Sequence, residues 1–247
     1  MSTLNVYVGF DPREQKAFDV CEYSILKHAT HRRQSDTKVI KLYSKDIPEY
    51  KRPHEPTQST DFTYTRFFVP YLNNFYGYAV FVDCDFLFLD DIRKIVDNVD
   101  PLAAVSVVKH PLYIPNTQIK MDDIPQHQMW RKNWASLIVF NCDHPICRTL
   151  TPEYINNKMP GRALHQFEWC GDDFLGSIPL DWNCLDGYYV VDKPKAIHYT
   201  DGGPWFDDYE NKPFYKYSTY SHLWSKAQKT MLIEKGLELR DVTVRSV

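Results

Sequence analysis

Short, mainly apolar runs recur along the chain and predict a series of buried β-strands. Each run is four to six residues long and is bounded by polar residues, glycine or proline. Strands of this kind pack on both faces, because a strand exposed on one face would alternate apolar with polar residues. The runs cover residues 6–10, 39–43, 78–82, 103–108, 137–140 and 196–199.

Helical patterns occupy several of the intervals between these strands. Asp11, Pro12 and Glu14 combine an N-cap, a proline at the first helical position and an acid at the third, which predicts a helix to about residue 27. Strands that alternate with helices predict an α/β fold with a mainly parallel sheet sandwiched by helices. Further helices are predicted at 61–75, interrupted at Pro70, at 92–96 and at 218–240, with loops at 44–60 and 110–133, the latter a long surface excursion or lid.

Two acids follow the strand predicted at 78–82. Asp83 and Asp85 are two residues apart on extended backbone and therefore point to the same side. Ligands of parallel sheets bind outside the carboxyl ends of the strands, and two packed carboxylates repel unless a cation lies between them. The pattern indicates a hard divalent ion that keeps positions open for phosphate oxygens. The alternative is a turn in which one Asp caps the chain.

A histidine lies near the end of the last predicted strand. His198 leads into a turn that contains Gly202 and Gly203, whose N–H groups would suit a diphosphate, and Trp205 comes directly after it. Imidazole together with carboxylates suits Mn²⁺ at least as well as Mg²⁺. The alternative is a histidine that serves the structure alone.

Two further candidates are an acidic pair and an arginine. Asp172 and Asp173 are predicted as a base, nucleophile or hydrogen-bond acceptor, with a helix N-cap as the alternative. Arg66, on the helix before the Asp83 motif, is predicted to hold a carboxylate or phosphate bidentately, with a surface arginine as the alternative.

Composition narrows the classes of function. The 247 residues carry 29 basic and 32 acidic side chains, so the net charge of −3 gives no reason to expect a nucleic-acid partner. No apolar run is long enough to span a bilayer, and no export signal is visible. The six cysteines are scattered without a disulfide or metal pattern. A cytoplasmic protein with reduced thiols is expected.

Taken in order, these features resemble the GT-A glycosyltransferases of glycosyltransferase family 8, the glycogenin and bacterial lipooligosaccharide galactosyltransferase group. The resemblance runs from about residue 6 to residue 205. The matching segments are the strand and turn at 7–11, Tyr64 with Arg66, the Asp83-Cys84-Asp85 "DxD", Gly171 to Leu175 followed by Pro179 and Trp182-Asn183, and His198 with Pro204-Trp205.

The resemblance implies a Rossmann-like GT-A domain over 1–247, with a nucleotide-binding half at 1–100, an acceptor half and histidine turn at 101–217, and a C-terminal helix and tail at 218–247. Asp83, Asp85 and His198 would bind Mn²⁺ or Mg²⁺, and Asp172 and Asp173 would be catalytic. The residues implied for the nucleotide-sugar are Gly9, Phe10, Asp11, Arg66, Asp83, Cys84, Asp85, Gly202, Gly203 and Trp205. Asp201 and Gly203 stand where that family usually has a glycine and a diphosphate-binding lysine.

The implied function is metal-dependent transfer of a sugar from a nucleotide-diphosphate sugar, UDP-sugar foremost, to a hydroxyl acceptor such as a glycan. Retention of the anomeric configuration is favoured, and an Asp in place of the family's Gln leaves inversion open. Two alternatives remain at this point: a haloacid-dehalogenase-type phosphatase that uses Asp83 and Asp85, and a nucleotide-sugar-binding module without turnover.

Overall fold

The computed structural model describes residues 3–29, 36–55, 58–111 and 130–237. Residues 112–129 of the predicted excursion and 238–240 of the predicted last helix lie outside the described residues. Within them, no helix is both long and apolar enough to cross a membrane. All six cysteines are free and buried.

A six-stranded sheet forms the centre of the molecule, in the order β2-β1-β3-β6-β5-β7. Three of its five strand pairs are parallel, and β6 runs antiparallel to both neighbours. The predicted α/β class with a mainly parallel sheet is therefore confirmed. The strands are β1 (Leu4–Gly9), β2 (Thr37–Leu42), β3 (Tyr78–Val82), β5 (Val105–Val108), β6 (Leu137–Asn141) and β7 (Leu175–Ile178).

The register aligns one edge of this sheet, which we call the carboxyl edge. Val82, the last residue of β3, lies opposite Leu137, the first residue of β6. The strands β1, β2, β3, β5 and β7 end at this edge, whereas β6 begins there. Chain segments that follow β3 and precede β6 therefore meet, and the Asp83 amide donates to the Ser136 carbonyl at 2.9 Å.

A second sheet of three short strands adjoins the carboxyl edge, in the order β4-β9-β8. Its strands are β4 (Phe86–Phe88), β8 (Cys184–Leu185) and β9 (Ala196–His198). β4 starts directly after Asp85, so the Asp83-Cys84-Asp85 segment joins the two sheets. β4 and β8 are absent from the sequence prediction, whereas β9 coincides with the predicted run at 196–199 to within one residue.

The first helix forms as its sequence predicts. The Asp11 carboxylate accepts from the Arg13 amide and caps a single 3₁₀ turn, Pro12–Glu14, which leads into α1 (Gln15–His28). The buried face of α1 repeats at helical spacing, which explains its packing on the sheet. Its buried residues are Ala17, Phe18, Val20, Cys21, Ser24 and Ile25.

The other helices are shorter than predicted. The helix expected at 61–75 is a 3₁₀ segment, Thr65–Phe68, followed by α2 (Val69–Leu72). Pro70 does not interrupt a helix but occupies the first turn of α2, where its missing N–H has no partner to lose. The remaining α-helices of the described residues are α3 (Arg93–Val96), α4 (Gly161–His165), which the sequence did not predict, and α5 (Ser221–Glu234).

Candidate active site

Asp83, Asp85 and His198 come together at the junction of the two sheets. One ligand atom from each side chain lies within 4.8 Å of the others. The side chains of Asp83 and Asp85 are 15% and 17% exposed, and His198 is 2% exposed. The group is thus open to solvent only through its two carboxylates, and the structure brings together the three predicted metal ligands.

The β4–β9 pairing carries His198 to the acids. Phe86, the residue after Asp85, lies opposite His198 in the antiparallel ladder. The Phe86 and His198 rings stack with centroids 4.5 Å apart and an interplanar angle of 16°. Nε2 of His198 lies 3.3 Å from Oδ2 of Asp85, and Nδ1 lies 3.0 Å from Oδ1 of Asn183.

Cys84 and Asp85 form a turn rather than the predicted extended backbone, and the Cys84 side chain is fully buried. Its Sγ is buried 3.6 Å from Oε2 of Glu14. Burial, followed by the charge of Glu14, raises the pKa of the Cys84 thiol well above its usual value. The Cys84 side chain is therefore a neutral core group.

Arg66 is buried next to Asp83 and does not lie on the surface. Its Nη1 lies 3.0 Å from Oδ1 of Asp83 and donates to the Ala135 carbonyl at 2.6 Å, and its Nε donates to the Thr63 carbonyl at 3.0 Å. Burial lowers the pKa of the guanidinium, and the carboxylates of Asp83 and Asp85 act in the opposite direction. An arginine keeps its charge in proteins, so Arg66 offsets one of the two carboxylates.

This donor set fits a divalent cation. Two carboxylates beside one guanidinium leave one formal negative charge, and an imidazole adds a neutral nitrogen donor. Oδ1 of Asp85 is buried, and no hydrogen-bond donor from the described residues reaches it. A buried carboxylate oxygen without a donor is costly, and a bound cation would satisfy it.

The residues predicted to face the nucleotide occupy the end of β1, but two of their side chains are engaged elsewhere. Phe10 packs edge-on against Phe18 and Tyr43 in the core. The Asp11 carboxylate accepts from the Arg13 backbone and guanidinium and from the Asp61 amide. These bonds lower the pKa of Asp11 despite the opposing effect of burial.

Gly9, the last residue of β1, lies so close to the ring of Phe62 that no side chain fits there. An added Cβ would lie 2.5 Å from the ring of Phe62, which is itself buried. At the end of β1, therefore, Phe10 is packed in the core, and Asp11 and Arg13 are engaged with each other.

The glycine turn after His198 is built around Trp205. Gly202 has φ +116°, and its N–H donates to the Tyr199 carbonyl at 2.8 Å, so that group is used within the turn and not by a diphosphate. A Cβ at Gly203 would lie 2.1 Å from the Trp205 ring. Trp205 is buried against Tyr199 and Trp224. Gly203 accordingly admits the indole into the core.

Asp172 and Asp173 are not part of the cluster formed by Asp83, Asp85 and His198. They begin a 3₁₀ turn that leads into β7, and Leu175 pairs with Val105 at the sheet edge opposite the carboxyl edge. Both are exposed, and Asp172 is paired with Arg131 at 2.7 Å.

A buried polar network behind His198 has no counterpart in the sequence prediction. It contains Asn183, Ser136, Tyr189 and His110. Burial, and next the neighbouring His198, lowers the pKa of His110 to about 3, so this second imidazole is neutral. Of these residues the sequence singles out only Asn183, in the Trp182-Asn183 pair, and the pairing of β8 with β9 places it beside His198.

Solved structures identify the fold. The galactosyltransferase LgtC in complex with donor and acceptor sugar analogues superposes with a TM-score of 0.58 at 10% identity, over 92% of this chain and 95% of that one. The bifunctional glycosyltransferase WbbM superposes with a TM-score of 0.56 at 18% identity, over 92% of this chain and 52% of that one, so the chain spans about half the length of WbbM. The chain has the GT-A glycosyltransferase fold, as its resemblance to family 8 implies.

A curated relative identifies the family. Protein CDI of Arabidopsis thaliana is 41% identical over 220 residues, which cover 85% of this chain and 83% of that protein. The chain belongs to the family of Protein CDI. No family model matches the chain.

Proposed function

We propose that this protein is a metal-dependent glycosyltransferase that moves a sugar from a nucleotide-diphosphate sugar to a hydroxyl acceptor. The observation that carries the proposal is the meeting of Asp83, Asp85 and His198 at the carboxyl edge of a GT-A sheet. In α/β sheets this edge is where ligands bind.

Asp83, Asp85 and His198 would hold the cation, Mn²⁺ in preference to Mg²⁺ because one donor is an imidazole nitrogen. When bound, a divalent ion supplies Lewis-acid stabilisation of the negative charge that grows on a departing diphosphate. The protein's own contribution is to hold these three ligand side chains in position. Arg66 holds the Asp83 carboxylate from beneath, and the Phe86 ring holds the plane of the His198 imidazole.

The donor and acceptor are proposed by class. LgtC was solved with donor and acceptor sugar analogues, and the shared fold supports a nucleotide-diphosphate sugar, UDP-sugar first, with a glycan or other hydroxyl acceptor. Retention of configuration is the stereochemistry that the family 8 resemblance favours. The catalytic role of Asp172 and Asp173 stays a prediction, and we assign no step to either side chain.

Thermal melting against nucleotide diphosphates and their sugars, each with and without Mn²⁺, tests the proposal. A ligand at a hundred times its dissociation constant adds about 2.7 kcal/mol of stability. We expect a UDP-sugar with Mn²⁺ to raise the melting temperature of the wild type, followed by sugar transfer or slow donor hydrolysis. Asp83→Asn, Asp85→Asn and His198→Gln should abolish the Mn²⁺-dependent part of the shift.

Asp192→Asn is the matched control, because Asp192 lies on an exposed segment before β9. It should behave as the wild type does. Absence of any metal-dependent shift with every nucleotide would overturn the proposal. Phosphate release from simple phosphomonoesters would favour the phosphatase alternative, and binding without turnover would favour a binding module.

A further inference from the structure

Asn183 is a fully buried amide directly behind His198. It follows a 3₁₀ turn, Leu180–Trp182, and precedes β8. β8 runs parallel to β9, with Leu185 opposite His198. This pairing brings the Asn183 side chain to the imidazole edge that faces away from Asp85, with its Oδ1 at 3.0 Å from Nδ1.

The hydrogen bonds around Asn183 have a defined direction. The Ser136 hydroxyl donates its one proton to the Asn133 carbonyl at 2.6 Å. Its oxygen therefore accepts from Nδ2 of Asn183 at 2.9 Å. The same Nδ2 faces the Asn133 carbonyl at 3.5 Å, so the opposite amide orientation would place two oxygens against each other.

The direction of these bonds determines which nitrogen of His198 carries a proton. With Nδ2 turned toward Ser136, the acceptor Oδ1 faces His198, and Nδ1 must donate to it. Nε2, on the other side of the ring, then presents its lone pair 3.3 Å from the Asp85 carboxylate. A lone pair that faces a carboxylate repels it, and a cation between them removes the repulsion.

We propose that Asn183, oriented by Ser136, is a positioning residue that holds His198 as the Nδ1–H tautomer and leaves Nε2 as the donor to the cation. The identity of the bound cation rests on the proposed function, whereas the tautomer of His198 does not. Hydrogen-bond partners of this kind orient a metal-binding imidazole, and their loss typically lowers metal affinity by about 10- to 100-fold.

The network also anchors Asn183 through its backbone. Its carbonyl accepts from the Tyr189 hydroxyl at 2.8 Å, and that hydroxyl lies 2.8 Å from Nδ1 of His110. Tyr189→Phe removes this contact without touching the bond between the amide and the imidazole. It is the matched control for variants of Asn183.

The first measurement is the tautomer of His198 by ¹⁵N NMR of metal-free protein labelled at histidine, with His198→Gln to assign the signals. We expect Nδ1–H in the wild type, in Tyr189→Phe and in Asn183→Asp, which keeps an acceptor. We expect Asn183→Leu to shift His198 to Nε2–H, which donates to Asp85. An Nε2–H or doubly protonated His198 in the wild type at neutral pH would overturn the inference.

The second measurement is Mn²⁺ affinity without any nucleotide, by calorimetry or electron paramagnetic resonance. Asn183→Leu should bind Mn²⁺ about 10- to 100-fold more weakly, whereas Asn183→Asp and Tyr189→Phe should stay within about threefold of the wild type. If Asn183→Leu fails to fold, Ser136→Ala, which removes the oxygen that orients the amide, takes its place. Unchanged affinity and tautomer in that variant would overturn the inference.

The two experiments separate this inference from the proposed function. An Nδ1–H tautomer in a wild type that binds no Mn²⁺ supports the assignment to Asn183 and overturns the metal-dependent function. An Nε2–H tautomer in a wild type that binds Mn²⁺ overturns the assignment and leaves the function standing.

Discussion

Phe86 lies opposite His198 in the β4–β9 ladder, and the two rings are stacked with centroids 4.5 Å apart. Because Phe86 directly follows Asp85, this one register ties the imidazole to the acidic pair. A shift of the register by one residue would turn His198 to the other face of the sheet. The proposed metal site therefore depends on a three-residue strand.

Replacing Phe86 by Leu should weaken Mn²⁺ binding more than it weakens the fold. The stack contributes about 0.5–1.5 kcal/mol beyond buried area, and the fully buried Phe86 also loses apolar area, so chemical denaturation should show a loss of at least that order. Mn²⁺ affinity should fall as well, because the imidazole plane is no longer held. Phe88→Leu is the control, since Phe88 is equally buried and also stacks on Phe86, with centroids 6.0 Å apart, but lies opposite Ala196 and not His198. Equal effects of both variants on Mn²⁺ binding would contradict this reading.

Removing Arg66 should destabilise the protein through Asp83. The Arg66→Met variant leaves a partly buried carboxylate without its guanidinium, and breaking such a pair typically costs about 3–5 kcal/mol. The Asp83→Asn change in the same chain should recover part of that loss. A double-mutant cycle by urea denaturation measures the coupling, and a value near zero would show that the 3.0 Å contact carries no energy.

Acid should destabilise the fold in part through His110. Burial and the neighbouring His198 lower its pKa to about 3 in the folded protein, against about 6.5 in the unfolded chain. The unfolded state therefore binds more protons below pH 6.5. The stability contributed by neutral His110 is complete above that pH and is lost down to about pH 3, by about 1.4 kcal/mol per pH unit.

Urea unfolding at a series of pH values between 7 and 4 checks this prediction. The His110→Gln variant should show a shallower loss of stability below pH 6.5 than the wild type. His222→Gln is the control, because His222 is on the exposed side of α5 and meets water in both states. An identical slope in wild type and His110→Gln would contradict a neutral, buried His110.

A methyl group at Gly203 should displace Trp205. The added carbon would lie 2.1 Å from the indole, and overpacking of a core usually costs about 1–3 kcal/mol. Gly203→Ala should lower stability by that amount and change the near-ultraviolet circular dichroism of the tryptophans. Gly77→Ala meets no neighbouring atom and bears only the cost of its positive φ, about 1–2 kcal/mol. It should leave the tryptophan signal unchanged, and a native signal in Gly203→Ala would refute the clash.

The sequence predicts the main sheet well, because most of its strands are continuous apolar runs. The run at 78–82 coincides with β3, and those at 6–10 and 137–140 differ from β1 and β6 by a residue or two. β7 was missed because Gly176 and Ser177 occupy the middle of its four residues. The helix predicted at 61–75 shortened to eight helical residues, since its aromatic side chains are buried on more than one face.

The sequence predicts which residues form the metal-binding cluster better than it predicts which residues contact each other. Asp83, Asp85 and His198 were expected together because each lies at or just after the end of a strand, and the structure joins them through the second sheet, which the pattern did not show. Arg66 was expected to face the donor, yet its guanidinium serves Asp83 and two backbone carbonyls. The partner of a charged side chain depends on how the chain packs in three dimensions, and a single sequence does not reveal that packing.

The anomalous diffraction of a crystal soaked with MnCl₂ and UDP, measured at the manganese edge, tests the central claim most directly. The account predicts one strong peak within coordination distance of Asp83, Asp85 and His198, with the His198 Nε2 turned to it. No peak there, or a peak elsewhere while Nε2 stays against the Asp85 carboxylate, would contradict the account.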